Sequence, residues 1–213
     1  MPILNESILN RLREELEELS GKVKLLVFTQ ELECEYCRQN TSLAQELASL
    51  SEKLAIEIYN FALDKEAVER YGVDKIPALV VEGEKDYGIR FYGVPAGYEL
   101  ASLLEAIKAV SAGESGLAPE IKETLKGLKE PLHLQVFVTL TCPYCPMAVQ
   151  LAQRMALESD MVRADLVEAS EFPHLVQRYN VFAVPKTVVN EKTSFEGALP
   201  EQRFLEQILK AIT

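Results

Sequence analysis

Four cysteines, set as two Cys-x-x-Cys pairs, carry the most reactive side chains of this chain: Cys34-Glu-Tyr-Cys37 and Cys142-Pro-Tyr-Cys145. No cysteine lies outside these pairs. Thiols three positions apart can close into a disulfide, and the thiolate is the form that attacks one. A thiolate is stabilised by the free N–H groups and positive dipole end of a helix. The flanking sequence predicts that placement. Leu132, Leu134, Val136 and Val138 alternate as a strand, which breaks at a polar turn. Beyond the cysteines, Met147, Ala148, Leu151, Ala152, Met155 and Ala156 recur at helical period. Upstream, Lys24-Leu-Leu-Val-Phe28 runs through a turn into Cys34 and a helix bearing Leu43, Ala44, Leu47 and Leu50. Pro143 is expected in the first helical turn, where its missing N–H costs little.

The two settings are copies. Cys34 and Cys142 stand 108 positions apart, as do Cys37 and Cys145. Tyr71-Gly-Val-Asp-Lys-Ile-Pro77 matches Tyr179-Asn-Val-Phe-Ala-Val-Pro185 at the same offset. Two motifs of different chemistry sharing one offset indicate a duplicated unit. In each copy a proline opening an apolar strand follows the first cysteine by 43 positions.

The 213 residues, 48% hydrophobic, suffice for two units of about 100 residues, each with its own core. Ser111-Ala-Gly-Glu-Ser-Gly116 is the turn-rich run between them and puts the boundary at 114/115, giving units 1–114 and 115–213. The net charge of −11 argues against a nucleic-acid partner, since no basic patch can release counterions. No apolar run is long enough to span a membrane. Glu14, Glu15, Glu17 and Glu18 in the first twenty residues are foreign to a secretory signal, so a cytoplasmic location is expected. In that compartment CxxC pairs read as redox-active. Glu- and Lys-rich charge without tryptophan points toward a thermophilic source.

The elements repeat in order. A helix from Asn5 to Ser20, capped by Asn5, leads into strand Val23 to Thr29 and the first CxxC helix. Strand Leu54 to Ile58, a short helix Asp64 to Tyr71, a hairpin Pro77 to Tyr92 and helix Gly97 to Ala112 complete the unit. The second unit follows suit: helix Pro119 to Lys129, strand Leu132 to Thr139, the second CxxC helix, and strand Val162 to Val167. It closes with a helix near Phe172 to Tyr179, a shorter hairpin Lys186 to Gly197 and helix Pro200 to Ile212. Each unit is therefore expected to be α/β, a mixed central sheet flanked by helices.

A CxxC after the first strand and a proline opening the third resemble the thioredoxin fold. Cys142-Pro-Tyr-Cys145 is similar to the active-site tetrapeptide of glutaredoxins. Two such units in tandem resemble the protein disulfide oxidoreductases of hyperthermophiles, which are glutaredoxin-like and related to protein disulfide isomerase. The resemblance implies that Cys34 and Cys142 attack while Cys37 and Cys145 resolve. It implies cis bonds before Pro77 and Pro185, with the backbone of Ile76 and Val184 pairing to a substrate chain. Protein dithiols or disulfides are the implied substrates, and a flavoprotein related to thioredoxin reductase is an implied electron donor. No cofactor is expected in the chain itself, because the cysteines carry the electrons. The chain departs from thioredoxin in lacking a tryptophan before the first cysteine. It also has Phe28 and Val136 where thioredoxin carries a buried acid.

Remaining polar residues have simpler readings. Glu57 and Asp165, 108 positions apart on mid-strand, are expected to be solvated or partly covered surface acids before buried proton relays. His133 reads as a half-exposed strand residue and His174 as a residue near a helix start. Tyr36 and Tyr144 could shield the sulfurs and line a substrate groove, or simply pack. Gly93 and Gly197 end corresponding strands. Three alternatives stay open: zinc held by four thiolates, a shared iron–sulfur cluster, and an electron relay with one live pair, as in the similar tandem unit of the alkyl hydroperoxide reductase flavoprotein. Glu31, Glu33 and Glu35 surround Cys34, whereas no acid lies within ten positions of Cys142. Each nearby carboxylate opposes a thiolate, so Cys142 should have the lower pKa and its pair the more oxidising potential.

Overall fold

The computed structural model describes residues 4–212. The elements run α1 (Glu6–Glu17), β1 (Val23–Thr29), α2 (Cys37–Ala48), β2 (Leu54–Asn60), α3 (Lys65–Arg70), β3 (Ala78–Glu82), β4 (Asp86–Tyr92) and α4 (Glu99–Ala112) in the first unit. The second holds α5 (Pro119–Lys126), β5 (Leu132–Val138), α6 (Cys145–Glu158), β6 (Val162–Glu168), α7 (Pro173–Arg178), β7 (Lys186–Val189), β8 (Thr193–Glu196) and α8 (Glu201–Ile212). The order of elements matches the sequence reading. Asn5 caps α1 by accepting the Ile8 N–H at 2.9 Å, although the helix stops at Glu17.

The eight strands form one sheet in the order β2-β1-β3-β4-β6-β5-β7-β8. Within each unit two strands pair in parallel, and the proline-led strand and its hairpin partner add antiparallel. The units join through parallel pairing of β4 with β6, Ile89 opposite Ala164 through Tyr92 opposite Val167. The expectation of two separate cores is corrected accordingly. On the face covered by α1, α2, α4, α5, α6 and α8, one apolar cluster runs without a break from Leu12 and Leu16 through Phe91 and Leu103 to Leu151 and Phe204. A smaller cluster under α3 and α7 also takes residues from both units, among them Phe28, Tyr92, Phe137 and Phe172. Burying an apolar strand edge against its counterpart removes two edges and the water they would order.

The join sorts residues that the duplication made equivalent. β2 is an outer edge strand and half-exposed, while β6 pairs on both sides and is buried along nearly its whole length. Strand polarity has a second consequence. β1, β4, β5 and β6 all point the same way, so both CxxC turns leave the same end of the sheet and enter helices on the same face.

Candidate active site

Each pair is closed as a disulfide, with Cα atoms 5.4 Å apart in Cys34–Cys37 and 5.5 Å in Cys142–Cys145. The helices begin at the second cysteine of each pair, not the first. Tyr36 and Tyr144 occupy the N-cap positions without a side-chain cap bond. Pro143 consequently lies in the turn before α6, and it is Pro146 that sits in the first helical turn. The chain folds back immediately before the second pair, where the Cys142 N–H donates to the Thr139 carbonyl at 3.1 Å. The arrangement makes the two sulfurs of a pair unequal. Cys37 and Cys145 are buried, at 1% and 0% exposure, whereas Cys34 and Cys142 are half-buried at the helix mouth.

The prolines lie beside them. Ile76–Pro77 and Val184–Pro185 are both cis. The Pro77 carbonyl accepts the Gly93 N–H at 3.0 Å and the Pro185 carbonyl the Gly197 N–H at 2.9 Å. Strand pairing starts one residue beyond each proline, so residues 76 and 184 stand outside the ladder. Cys142 Sγ lies 3.8 Å from the Val184 carbonyl oxygen. In the first unit Asn40, one turn into α2, donates to the Ala78 carbonyl at 3.3 Å and ties the helix to the strand after Pro77.

The rims differ. Beside Cys142 and Val184 in the chain stand exposed apolar side chains, Tyr144 at 67%, Met147 at 56% and Phe182 at 90%. Tyr36 instead leans on the core, half-buried. Its hydroxyl is held above the ordinary tyrosine range by the Glu35 carboxylate, by burial, and by Glu171 and Glu168. The last two come from the second unit and were not legible beside Cys34 in the sequence.

Glu57 and Asp165 part company. Glu57 is partly exposed on the edge strand, pairs with Lys24 at 3.0 Å and accepts the Tyr59 hydroxyl at 2.6 Å, as a partly covered surface acid should. Asp165 has no exposed side-chain surface and that expectation fails for it. It bonds Arg163 Nε at 2.9 Å and His133 Nε2 at 2.7 Å. Burial opposes its charge, but those partners outweigh burial and hold it well below the usual carboxylate range. It therefore stays ionised, with its bonds spent on His133 and Arg163. His133 is half-exposed as expected, and His174 is exposed near the start of α7.

A further buried acid escaped the sequence reading. Glu99, in the first turn of α4, looks like an ordinary helix-start carboxylate but is fully enclosed. The preceding Tyr98 N–H donates to the Leu140 carbonyl at 3.1 Å, two residues before Cys142. Gly97 makes this approach possible, since a β-carbon there would collide with the same carbonyl. Burial pushes Glu99 up to about 7, only partly offset by the Ser102 hydroxyl donating at 2.6 Å. A raised carboxyl penalises the fold once ionised. Stability should therefore fall as pH rises from the unfolded value of about 4.3 to about 7, then level off. The shift corresponds to about 4 kcal/mol at about 1.4 kcal/mol per unit. Glu99→Gln should lose this slope, and urea melts of both proteins at pH 5 and pH 8 test it; parallel changes would refute it.

Among the described residues no cluster of three or more His, Cys, Asp or Glu side chains could hold a metal ion. Among the same residues no helix is long and apolar enough to cross a membrane.

Comparison with known proteins agrees with the geometry. The thioredoxin domain model matches residues 22–105 and 132–210. The crystal structure of a protein disulfide oxidoreductase from Aeropyrum pernix superposes with a TM-score of 0.92 at 32% identity, covering 97% of this chain and 93% of that one. The N-terminal domain of the alkylhydroperoxide reductase AhpF from Enterococcus faecalis gives 0.88 at 28%, covering 96% and 99%. Longer relatives include an NADH dehydrogenase of Ferdinandcohnia aciditolerans, 25% identical, and an alkyl hydroperoxide reductase protein of Staphylococcus epidermidis, 27% identical. Each alignment takes in 97% of this chain but only 37% and 38% of those proteins, so the chain spans less than two-fifths of their length. With two matched domains and a CxxC disulfide in each, the chain belongs to the thioredoxin-domain family, as a tandem two-unit thiol–disulfide oxidoreductase.

Proposed function

We propose that the chain exchanges disulfides with protein clients through both pairs, with Cys142 and Cys34 attacking and Cys145 and Cys37 resolving. The observation that carries this is the half-exposed Cys142 sulfur 3.8 Å from the Val184 carbonyl, bonded to a sulfur sealed inside. The Cys142 thiolate attacks one sulfur of a client disulfide, and the other client sulfur leaves as a thiolate that takes a proton. Cys145 then attacks Cys142 Sγ, closing the Cys142–Cys145 bond and freeing the second client sulfur. Two electrons pass to the client; the reverse sequence oxidises it. Ile76 and Val184, beside Pro77 and Pro185, offer backbone groups outside the ladder to an extended client segment, as an added strand would use them. Tyr36 and Tyr144 line the two grooves. Units 1–114 and 115–213 would each serve one pair, in the cytoplasm, where a thioredoxin-reductase-like flavoprotein would return the electrons.

In an insulin reduction assay with dithiothreitol, the Cys34→Ser/Cys142→Ser double variant should fall to the uncatalysed rate. Unchanged acceleration would end the proposal. A second reading, an internal electron relay, is favoured by the likeness to the AhpF domain. A relay hands electrons to one fixed partner, so it would leave insulin reduction slow even in the unaltered chain.

A further inference from the structure

We propose that Glu171, contributed by the second unit, is a positioning residue of the first unit's redox pair and makes the Cys34–Cys37 couple more reducing than it would be without that carboxylate. This rests on the dithiol chemistry above and adds a contribution to one site from the opposite half of the chain.

Three bonds connect Glu171 to that site. Its Oε1 accepts the Val94 N–H at 2.8 Å. The neighbouring Gly93 N–H reaches the Pro77 carbonyl at 3.0 Å, and Asn40 of the Cys37 helix holds the Ala78 carbonyl. The loop after β6 thus closes over the Pro77 end of the first groove. Gly93 is what admits it: φ is +94°, and a β-carbon there would fall 2.6 Å from Glu168 Cβ and 3.0 Å from Glu171 Oε1. The counterpart of β6 in the first unit, strand β2, stands at the far edge of the sheet from β5, β7 and β8, so the loop after it, with Leu63 at the position equivalent to Glu171, has no second site beside it.

Glu171 Oε2 is buried with no hydrogen-bond partner among the described residues. The charged groups facing Glu171 are Glu168 at the end of β6, itself accepting from the Ser170 hydroxyl and the Glu171 N–H, and Glu35 on the Cys34 turn. The facing titratable hydroxyl is that of Tyr36. Burial lifts the Glu171 carboxyl to about 7, the Val94 bond opposes this, and Glu168 and Glu35 add to the rise. A carboxylate held here destabilises a Cys34 thiolate and leaves the neutral disulfide unaffected. Reduction opens the Cys34–Cys37 bond with two electrons from an external dithiol, which becomes a disulfide. Where that opening yields a thiolate, ionised Glu171 opposes it.

The test uses the full chain with Cys142→Ser/Cys145→Ser, equilibrated against dithiothreitol at pH 5.5 and pH 8.5, with and without Glu171→Gln. At pH 8.5 the variant should favour the reduced form about threefold more, a rise of about 15 mV at 29.6 mV per tenfold. At pH 5.5, with carboxyl and thiol both protonated, the two proteins should agree. No shift at either pH, or an equal shift at both, overturns the proposal. A second measurement needs no substitution. The Glu171 carboxyl signal, titrated by NMR in the oxidised and the reduced chain, should move to higher pKa on reduction, because linkage is reciprocal. Identical titrations overturn the proposal too. Neither readout depends on a client, so insulin reduction can fail while Glu171 still tunes the pair, or succeed while it does not.

Discussion

Cys145→Ser, in a chain whose first pair has been changed to serine, should capture disulfide-bearing clients as stable adducts on Cys142. On non-reducing gels we expect at least about tenfold more adduct than with Cys142–Cys145 intact, because resolution by the neighbouring thiol is the fast exit from the mixed disulfide. The opposite choice, Cys142→Ser with Cys145 retained, should capture almost nothing. Cys145 is the first residue of α6 with 0% exposure, and no client sulfur can align with it while the helix is folded. Cys142 is only half-buried and lies beside the Val184 carbonyl, and Tyr144, Met147 and Phe182, within two to five positions of Cys142 or Val184 in the chain, are exposed. Exchange is an in-line substitution at sulfur, so access matters as much as thiolate fraction. Equal capture by the two single-thiol chains, read by mass spectrometry of the adduct, would reverse the assigned roles. Matching variants of the first pair should show the same order at lower rate, since its acidic surroundings disfavour the attacking thiolate.

The fold was largely legible because its information is local. Alternation through Leu132–Val138, helical spacing after Cys145, and a proline 43 positions beyond each first cysteine specify a strand, a helix and the next strand without reference to distant residues. The shared offset of 108 then fixed the copy number. What stayed hidden depends on where the copies touch. Nothing in Val162–Glu168 distinguishes an edge strand from an inner one until β4 is laid beside it. The same holds for Glu168 and Glu171, which lie far along the chain from Cys34 yet reach its groove through Gly93 and Val94. Glu99 was missed for a related reason. An acid in the first turn of a helix is ordinarily solvated, and only the packing of α4 beside the second CxxC turn encloses it. The start of the second CxxC helix was misplaced because a proline fits the turn before a helix as readily as its first turn, and Pro143 and Pro146, three residues apart, both stand at this start.

The same join sets the largest stability effect expected of a single substitution outside the apolar core. Asp165→Ala should cost about 3–5 kcal/mol, the range for removing one partner from a buried ion pair. Arg163 would keep its bonds to the Tyr92 hydroxyl at 2.8 Å and the Gly72 carbonyl at 2.9 Å, both across the join, but would lose its counter-charge. His133 would keep Glu191 and lose Asp165. Glu57→Ala at the equivalent position of the first unit should cost no more than about 1 kcal/mol, since an exposed pair with Lys24 is screened by water. The pH dependence follows with a definite sign. Asp165 is depressed in the fold, so its contribution is complete above the ordinary carboxylate range and lost as pH falls through the native value. Acid should therefore narrow the gap between the parent and Asp165→Ala, while neutral pH should show it in full. Urea melts of the two alanine variants at pH 7 decide whether burial at the join is the cause. Equal losses would mean that equivalence by duplication outweighs the pairing of β4 with β6; a difference of several kcal/mol requires that the pairing, and not the inherited position, sets what a carboxylate does there.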